Sequence, residues 1–180
     1  MENSGCTVWL TGLPSSGKST IVTKLETVLR ERGAGVEILD GDEVRRNLSP
    51  DLGFTKKDRE THARRVVFVS KLLSRNGVIV LVALISPYRA FRENARKQIG
   101  SFVEVFTRCP LEVCIKRDPK GLYKKALAGE IKDMTGLQDT YEDPLNPEII
   151  VDTDKLSIDE SVLKITGELT KLKYLKPIAP

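Results

Sequence analysis

A glycine-rich stretch near the amino terminus sets the strongest limit on the fold. It follows the pattern G-x-x-x-x-G-K-[S/T] and reads Gly12-Leu13-Pro14-Ser15-Ser16-Gly17-Lys18-Ser19. A β-branched and aromatic run precedes it, and apolar residues at helical spacing follow it. In that context backbone N–H groups and the helix start can surround phosphate oxygens. The stretch predicts a nucleotide-phosphate loop between a strand and a helix.

This loop assigns the first functional roles. Lys18 is predicted to reach the β and γ phosphates of ATP, and the Ser19 hydroxyl to ligate Mg²⁺. The predicted nucleotide site comprises Gly12, Leu13, Pro14, Ser15, Ser16, Gly17, Lys18, Ser19 and Thr20. Such a loop also occurs in GTPase switches and motors, but the sequence has no Asn-Lys-x-Asp motif and no room for a second nucleotide-binding half. A small kinase is the simplest remaining class.

Strand-like and helix-like segments alternate along the chain. Strands are predicted at 6–11, 36–39, 78–85, 102–107 and 149–151, and helices at about 57–75, 90–99 and 111–116. The first helix follows the phosphate loop, and a closing helix places Val162, Ile165, Leu169 and Leu172 on one face. This order predicts a single α/β domain over 1–180, with the three-layer P-loop NTPase fold: a mostly parallel sheet with helices on both faces.

Composition limits the partners. The formal net charge of +4 is modest for a nucleic-acid binder, and the longest apolar run, 77–85, is too short to span a membrane. The segment from Met1 to Gly5 has no leader pattern, so we expect a cytoplasmic protein without nucleic-acid or membrane partners. The three cysteines are expected to be buried thiols, because the single histidine leaves no plausible zinc set.

Two carboxylates follow the second predicted strand. Asp40 and Asp42 flank Gly41 at the end of that strand, where an open parallel sheet binds ligands. Asp40 is predicted to hold Mg²⁺ and Asp42 to orient or deprotonate an incoming hydroxyl, and both are expected to be catalytic. A turn whose carboxylates only accept backbone hydrogen bonds is the alternative.

A basic segment lies between the predicted strands at 102–107 and 149–151. Residues from Arg117 to Gly136 are rich in Lys and Gly and poor in apolar side chains. This composition predicts a mobile basic lid, about 117–136, that does not pack well and excludes water from the site. A solvated charged surface is the alternative.

Longer motifs resemble the adenylylsulfate (APS) kinase family. They are Leu39-Asp40-Gly41-Asp42 with Val44-Arg45, Asp51-Leu52-Gly53-Phe54, Ile85-Ser86-Pro87-Tyr88-Arg89 and Asp118-Pro119-Lys120-Gly121-Leu122-Tyr123-Lys124-Lys125-Ala126. The resemblance implies transfer of the ATP γ-phosphate to the ribose 3′-hydroxyl of adenylylsulfate, with ATP and Mg²⁺ as cofactors. We also expect a homodimer.

The resemblance also implies which residues bind the substrates. Arg117 is expected at the nucleotide, and the acceptor site is expected to comprise Asp42, Glu43, Val44, Arg45, Phe54, Arg59, Glu60, Thr61, His62, Ile85, Ser86, Lys120, Asp133 and Met134. Guanidinium groups suit a phosphosulfate, and the Phe54 ring suits a base. The position of Ser86 has been described in this family as a phosphoserine intermediate. We expect a binding residue instead, because no lysine or histidine stands beside it in sequence to activate its hydroxyl.

The chain departs from the family pattern at three places. Pro14-Ser15 stands where the family commonly has Ser-Gly, and Asp133-Met134 where it commonly has Gly-Phe. Glu43 and His62 each replace an asparagine. An imidazole that titrates near pH 6.5 predicts acceptor binding that tightens at mildly acid pH.

Two other functions stay open on the sequence. One is a P-loop kinase of another small metabolite or nucleoside, since the acceptor contacts depend on the resemblance. The other is a nucleotide-binding module without catalysis. Asp40 and Asp42 argue against it, because binding ATP does not require acceptor-side carboxylates.

Overall fold

Five parallel strands form one sheet in the order β2-β3-β1-β4-β5. The computed structural model describes residues 5–177. The strands are β1 (Cys6–Thr11), β2 (Val36–Asp40), β3 (Ile79–Ala83), β4 (Phe102–Arg108) and β5 (Ile149–Asp152). β1 is central and pairs with β3 and β4, so the phosphate loop leaves the middle of the sheet at its carboxyl edge. Residues 1–4, within the stretch predicted to lack a leader, lie outside the described residues.

Helices cover both faces of this sheet. They are α1 (Lys18–Glu31), α2 (Gly41–Leu48), α3 (Lys56–Ser74), α4 (Arg89–Ile99), α5 (Leu111–Arg117), α6 (Leu122–Leu127) and α7 (Ile158–Lys171). Alternate residues of β1 point to opposite faces: Val8 and Leu10 join the core beneath α1 and α7, whereas Trp9 joins the core beneath α3 and α4. The predicted three-layer α/β fold is confirmed.

Capping residues explain where two of the long helices begin, and the spacing of their apolar residues explains which face they bury. Thr55 and Asp58 form a capping box at the start of α3, and Ser157 and Glu160 form one at the start of α7. Apolar side chains then recur every three or four residues on the inner faces, as in α7, where Val162, Ile165 and Leu169 are buried. The prediction that Leu172 shares this face is wrong, because it follows the helix and is 42% exposed.

Two short helices were not predicted from the sequence. α2 follows β2 directly, and the Asp40 side chain caps it by accepting a hydrogen bond from the backbone N–H of Asp42. α6 lies inside the predicted lid. Both helices are too short to give a periodic apolar pattern. In α2, for example, Val44 is the one buried residue.

The predicted lid has a core of its own. Tyr123, Ala126 and Met134 are buried together with Cys109 and Cys114. The prediction that this segment does not pack well is therefore wrong, because its few apolar residues meet partners that come from the end of β4 and from α5. Its mobility stays a prediction. All three cysteines are buried and free, as expected.

Within residues 5–177, every helix is too short or too polar to cross a bilayer.

Candidate active site

The phosphate loop depends on close backbone packing at its first residue. A Cβ added to Gly12 would lie 2.3 Å from Thr107 Oγ1 and 2.6 Å from Thr107 O. No side chain fits there, which explains the glycine. The Thr107 hydroxyl donates to Thr11 O at 2.7 Å and lies 3.0 Å from Ser16 Oγ. The loop is therefore supported from beneath by β4.

Lys18 lies inside this loop. Its ammonium donates to Gly12 O at 2.8 Å, to Leu13 O at 2.7 Å and to Ser16 Oγ at 3.3 Å, and the residue is 8% exposed. The pKa of Lys18 is lowered to about 7. Burial is the main cause, and the nearby Cys114 and Asp40 offset part of its effect. These oxygen contacts place the ammonium where the loop can present it to phosphate.

The predicted metal ligands lie together. The Ser19 hydroxyl donates to Asp40 Oδ2 at 2.6 Å, while Oδ1 of the same carboxylate accepts from Asp42 N at 3.1 Å. Asp40 thus joins the start of α1 to the start of α2. A hydroxyl and a carboxylate oxygen are ligands that suit Mg²⁺, which commonly takes one or two carboxylates and completes its coordination with phosphate and water.

Asp42 faces the lid. Its carboxylate accepts a hydrogen bond from the Lys120 ammonium, and both side chains are more than half exposed. The pair connects the first turn of α2 to the segment between α5 and α6. The structure therefore brings together Lys18, Ser19, Asp40, Asp42 and Lys120 at the carboxyl edge of the sheet, as the sequence predicted.

Two arginines flank the exposed Phe54 ring. The Arg45 guanidinium lies 4.6 Å from the ring centroid and that of Arg59 lies 6.0 Å away. Arg45 donates to Gly53 O at 2.7 Å, and Arg59 donates to Phe54 O at 2.8 Å. Phe54 is 59% exposed, so part of its surface can accept a stacking partner.

Arg59 also connects this loop to the lid. It donates to Asp133 O at 2.7 Å and to Thr135 Oγ1 at 3.2 Å. Asp133 adopts a φ of 60°, which is the left-handed region where glycine is favoured. Met134 is buried in the lid core. The contact of Met134 with the acceptor stays a prediction, and in this structure its side chain packs inside the lid.

Ser86 follows β3 beside the phosphate loop and is 8% exposed. Its hydroxyl oxygen accepts a hydrogen bond from Trp9 Nε1 at 3.0 Å. Ile85 O accepts from Thr11 Oγ1 at 2.7 Å, which ties the end of β3 to the end of β1. An indole N–H only donates, so this neighbour cannot act as a base toward the Ser86 hydroxyl.

His62 is not exposed to the acceptor as a titrating group. It is 5% exposed, and its Nδ1 lies 2.9 Å from Ser49 Oγ. Burial, together with the nearby positive charges of Arg45 and Arg65, lowers its pKa to about 4. The prediction of an acceptor-binding cation near pH 6.5 is wrong, because the protonated form would be a third positive charge in a buried place.

The remaining predicted acceptor residues are distributed unevenly. The Val44 side chain lies in the core with Trp9, so only its backbone is available to a ligand. Thr61 donates to Lys57 O within α3 and lines a surface groove with Leu48 and Phe68, so it is not gathered with the others. Glu43 and Glu60 are exposed on α2 and α3.

Arg117 lies at the end of α5, where it donates to Thr153 O at 2.5 Å and to Thr153 Oγ1 at 3.3 Å. These bonds fix it beside the loop after β5. Two further residues were not singled out from the sequence. Tyr123 is fully buried and donates to Pro14 O at 3.1 Å, and Arg92 is buried behind Ser86. A buried arginine leaves no sequence signal, but Tyr123 stands within one of the motifs.

Known proteins are similar to this chain in sequence and in fold. A family model described as adenylylsulphate kinase matches residues 4–152. The adenylyl-sulfate kinase of Rippkaea orientalis is 58% identical over 180 residues, which is 99% of each chain. The structure of the Mycobacterium tuberculosis APS kinase CysC in complex with AMPPNP and APS is 44% identical, with a TM-score of 0.90 over 92% of this chain and 98% of that chain. The hexameric APS kinase from Thiobacillus denitrificans is 35% identical, with a TM-score of 0.74 over 98% of this chain and 31% of that chain.

Proposed function

The chain belongs to the adenylylsulphate kinase family, and we propose that the side chains gathered at the carboxyl edge of its sheet carry out the family's reaction. The protein transfers the γ-phosphate of ATP to the ribose 3′-hydroxyl of adenylylsulfate and yields 3′-phosphoadenylylsulfate, a step of sulfate assimilation. The observation that carries the assignment of roles is the juxtaposition of Ser19–Asp40 with Asp42–Lys120. The two pairs lie around one turn of α2, which supports a nucleotide-side role for the first and an acceptor-side role for the second.

On the nucleotide side, residues 12–20 hold the phosphates. Lys18 supplies positive charge to the transferring group, and Ser19 with Asp40 would hold Mg²⁺. When bound, this ion neutralises charge on the phosphate oxygens. Arg117 would lie toward the base, at the end of α5. Catalysis by these groups consists of positioning and electrostatic stabilisation, because phosphoryl transfer needs little covalent participation by the protein.

On the acceptor side, Asp42 orients the ribose hydroxyl and accepts its proton. Lys120 reaches this carboxylate from the lid, so it can contact an anionic acceptor bound between them. Phe54 stacks on the adenine, while Arg45 and Arg59 supply charge for the phosphosulfate. The backbone of Val44, the first turn of α2 with Glu43, and Ile85 and Ser86 at the end of β3 complete the acceptor site.

We propose direct transfer without a phosphoserine. Ser86 Oγ accepts a hydrogen bond from the indole N–H of Trp9, and this group cannot act as a base toward the serine hydroxyl. A direct displacement inverts the configuration of a chiral γ-phosphate, whereas a phosphoserine route retains it through two displacements. Ser86→Ala should therefore keep much of the activity with altered acceptor affinity. A kinetically competent phosphoserine at this position, with retention of configuration, would contradict the proposal.

Organisation beyond the site is also proposed. We infer a single domain over 1–180, a cytoplasmic location and a homodimer, with a lid at about 117–136 that moves during turnover. The hexameric relative does not argue for a dimer in particular. Sedimentation of the purified protein at several concentrations decides the assembly, and a stable monomer or hexamer would contradict the homodimer.

A substrate panel tests the function. The protein is incubated with ATP and Mg²⁺ and with adenylylsulfate, adenosine monophosphate, shikimate or gluconate, and each product is identified by mass. We expect phosphorylation of adenylylsulfate above the other acceptors. Preference for a non-nucleotide acceptor would overturn the acceptor assignment, and loss of ATP turnover in every mixture would overturn catalysis.

A further inference from the structure

Ser86 adopts a backbone conformation that its surroundings must maintain. Its φ is 46°, in the left-handed region, and Pro87 follows it. This conformation is disfavoured for a residue with a side chain and persists where neighbouring groups fix it. The groups that hold Ser86 therefore decide where its hydroxyl lies.

Arg92 is the first of these groups. Its guanidinium donates to Ser86 O at 2.5 Å, to Glu104 Oε1 at 2.7 Å and to Glu142 O at 2.6 Å. These acceptors belong to three different segments: the end of β3, strand β4 and the loop before β5. Arg92 is 2% exposed, so the three bonds form away from water, where a planar fork fixes geometry well.

Glu104 balances the buried charge of Arg92 and is itself fixed. Its carboxylate is 9% exposed and lies 3.5 Å from Arg96, while its backbone N–H donates to Glu148 Oε2 at 2.7 Å. Arg96 in turn pairs with Glu148 at 2.5 Å. The acceptor end of β3 thus rests on the buried Arg92–Glu104 pair, while the more exposed Arg96 and Glu148 lie at the outer side of that pair and do not contact Ser86.

Trp9 holds the Ser86 side chain. Trp9 is 1% exposed on the central strand, and its Nε1–H donates to Ser86 Oγ. Because the indole nitrogen only donates, Ser86 Oγ is the acceptor in this bond, and the serine's own hydroxyl proton can be donated to a ligand. Ser86 follows β3, which lies between the strands that end at the phosphate loop and at Asp40.

We propose that Trp9 and Arg92 are positioning residues for the acceptor: Arg92 fixes the Ser86 backbone, Trp9 fixes its hydroxyl, and Ser86 then donates a hydrogen bond to adenylylsulfate. Neither residue needs to touch a substrate. The inference depends on the proposed placement of Ser86 at the acceptor.

Steady-state kinetics of the full chain test this chain of contacts. The variants are Trp9→Phe, Arg92→Lys, Ser86→Ala and the double variant Trp9→Phe/Ser86→Ala, with each nucleotide varied separately. Each single variant should raise KM for adenylylsulfate by about 10-fold and leave KM for ATP within about 2-fold. Because Trp9 acts through the Ser86 hydroxyl, the double variant should be no worse than Ser86→Ala.

Arg96→Lys is the matched control for Arg92→Lys. Arg96 is one turn further along α4 and pairs with the same Glu104, but its described contacts are to Glu104, Glu148 and the Phe102 ring. Its variant should keep KM for adenylylsulfate near the wild-type value. If Arg92→Lys does not fold, the Trp9–Ser86 cycle decides, because Trp9→Phe removes one N–H and keeps an aromatic ring.

The results that overturn the inference differ from those that overturn the function. Additive effects of Trp9→Phe and Ser86→Ala, equal rises in KM for both nucleotides, or a wild-type KM in Trp9→Phe contradict the positioning roles. A wild-type protein that does not phosphorylate adenylylsulfate contradicts the function itself. Trp9 is the single tryptophan in the sequence, so its emission should change when adenylylsulfate is added with ADP. Emission identical to that with ADP alone would also contradict contact at Ser86.

Discussion

Lys120 and Asp42 form a salt bridge that joins the segment after α5 to the first turn of α2. Their side chains are 56% and 61% exposed. An ion pair this accessible contributes on the order of 0–1 kcal/mol to stability. The fold therefore does not depend on it, which fits its proposed role in binding the acceptor.

Replacing Lys120 should weaken acceptor use without unfolding the protein. Lys120→Met removes the charge that we propose binds the anionic acceptor, so kcat/KM for adenylylsulfate should fall by about 10-fold or more. The melting temperature should stay within about 2 °C of the wild type, given the small contribution of the pair. Lys124→Met, an exposed lysine on the same segment, is the control. Equal losses in both variants would indicate a general charge effect.

The two aspartates should respond differently to the same substitution. Asp42→Asn removes the proposed proton acceptor and should lower kcat by about 10²-fold or more, with little change in ATP affinity. Asp40→Asn keeps a helix cap but weakens a proposed metal ligand, so it should raise the Mg²⁺ concentration needed for half-maximal rate. Kinetics across a Mg²⁺ titration separate the two. An effect of Asp42→Asn confined to ATP affinity would assign that residue to the metal.

Lys18→Ala should abolish transfer, with a loss in kcat/KM of about 10²-fold or more. The ammonium donates to Gly12 O and Leu13 O inside the loop. In the alanine variant no cation offsets the repulsion between these carbonyl oxygens and the phosphates. Lys24→Ala is the control, because Lys24 lies on the same helix and pairs with Asp159 at 3.2 Å. Near wild-type turnover in Lys18→Ala would overturn the assignment of the phosphate loop.

His62 should make the stability of the fold depend on pH, whereas it should not make acceptor binding depend on pH. Its pKa in the folded protein is about 4 against an ordinary value of 6.5. Between these values the unfolded chain binds the proton more readily, so stability is complete above pH 6.5 and is lost as the pH falls toward 4. The loss from this one group is on the order of 3 kcal/mol.

Denaturant unfolding of wild type and His62→Asn at pH 7.5 and pH 4.5 measures this effect. Other groups that titrate in this range are common to both proteins, so the difference between them isolates His62. The asparagine variant should lose less stability on acidification. Parallel losses in the two proteins would show that the imidazole is protonated freely in the fold.

Sequence predicted the parts of the site that are local in the chain. The strand, phosphate loop and helix around Lys18 follow from a contiguous pattern, and Asp40 and Asp42 follow from the rule that ligands bind at the carboxyl ends of parallel strands. An aspartate at position 40 is also a typical helix cap. The helix after it could not be predicted, because a helix that buries only Val44 has no apolar periodicity.

Contacts between distant segments could not be read in this way. Trp9 and Ser86 are 77 residues apart, and a hydrogen bond between them leaves no local pattern. The lid was expected to be unpacked because Tyr123, Ala126 and Met134 are sparse along the chain, yet α5 supplies the surface that buries them. The pKa of His62 likewise depends on its burial and on Arg45 and Arg65. No pattern in the sequence around His62 shows that both arginines lie near it in the fold.

Two departures from the family pattern share a physical feature. Ser15 has a φ of 62° and Asp133 a φ of 60°. Both stand at positions where the family resemblance leads us to expect glycine, which adopts this conformation without strain. The chain thus keeps the backbone geometry while carrying side chains there. Asp tolerates the left-handed region better than Ser, so the larger strain is expected at Ser15.

Ser15→Gly should therefore stabilise the protein by about 0.5–1 kcal/mol, the strain relieved less the extra freedom of glycine in the unfolded chain. Gly33→Ala calibrates the strain, because Gly33 has a φ of 75° and an added Cβ meets no atom within 4 Å. That variant should lose about 1 kcal/mol, and denaturant unfolding measures both. KM for ATP should stay within about 2-fold of wild type in Ser15→Gly, since the loop keeps its path. Loss of stability in Ser15→Gly would show that the serine side chain supports the loop by more than its strain costs.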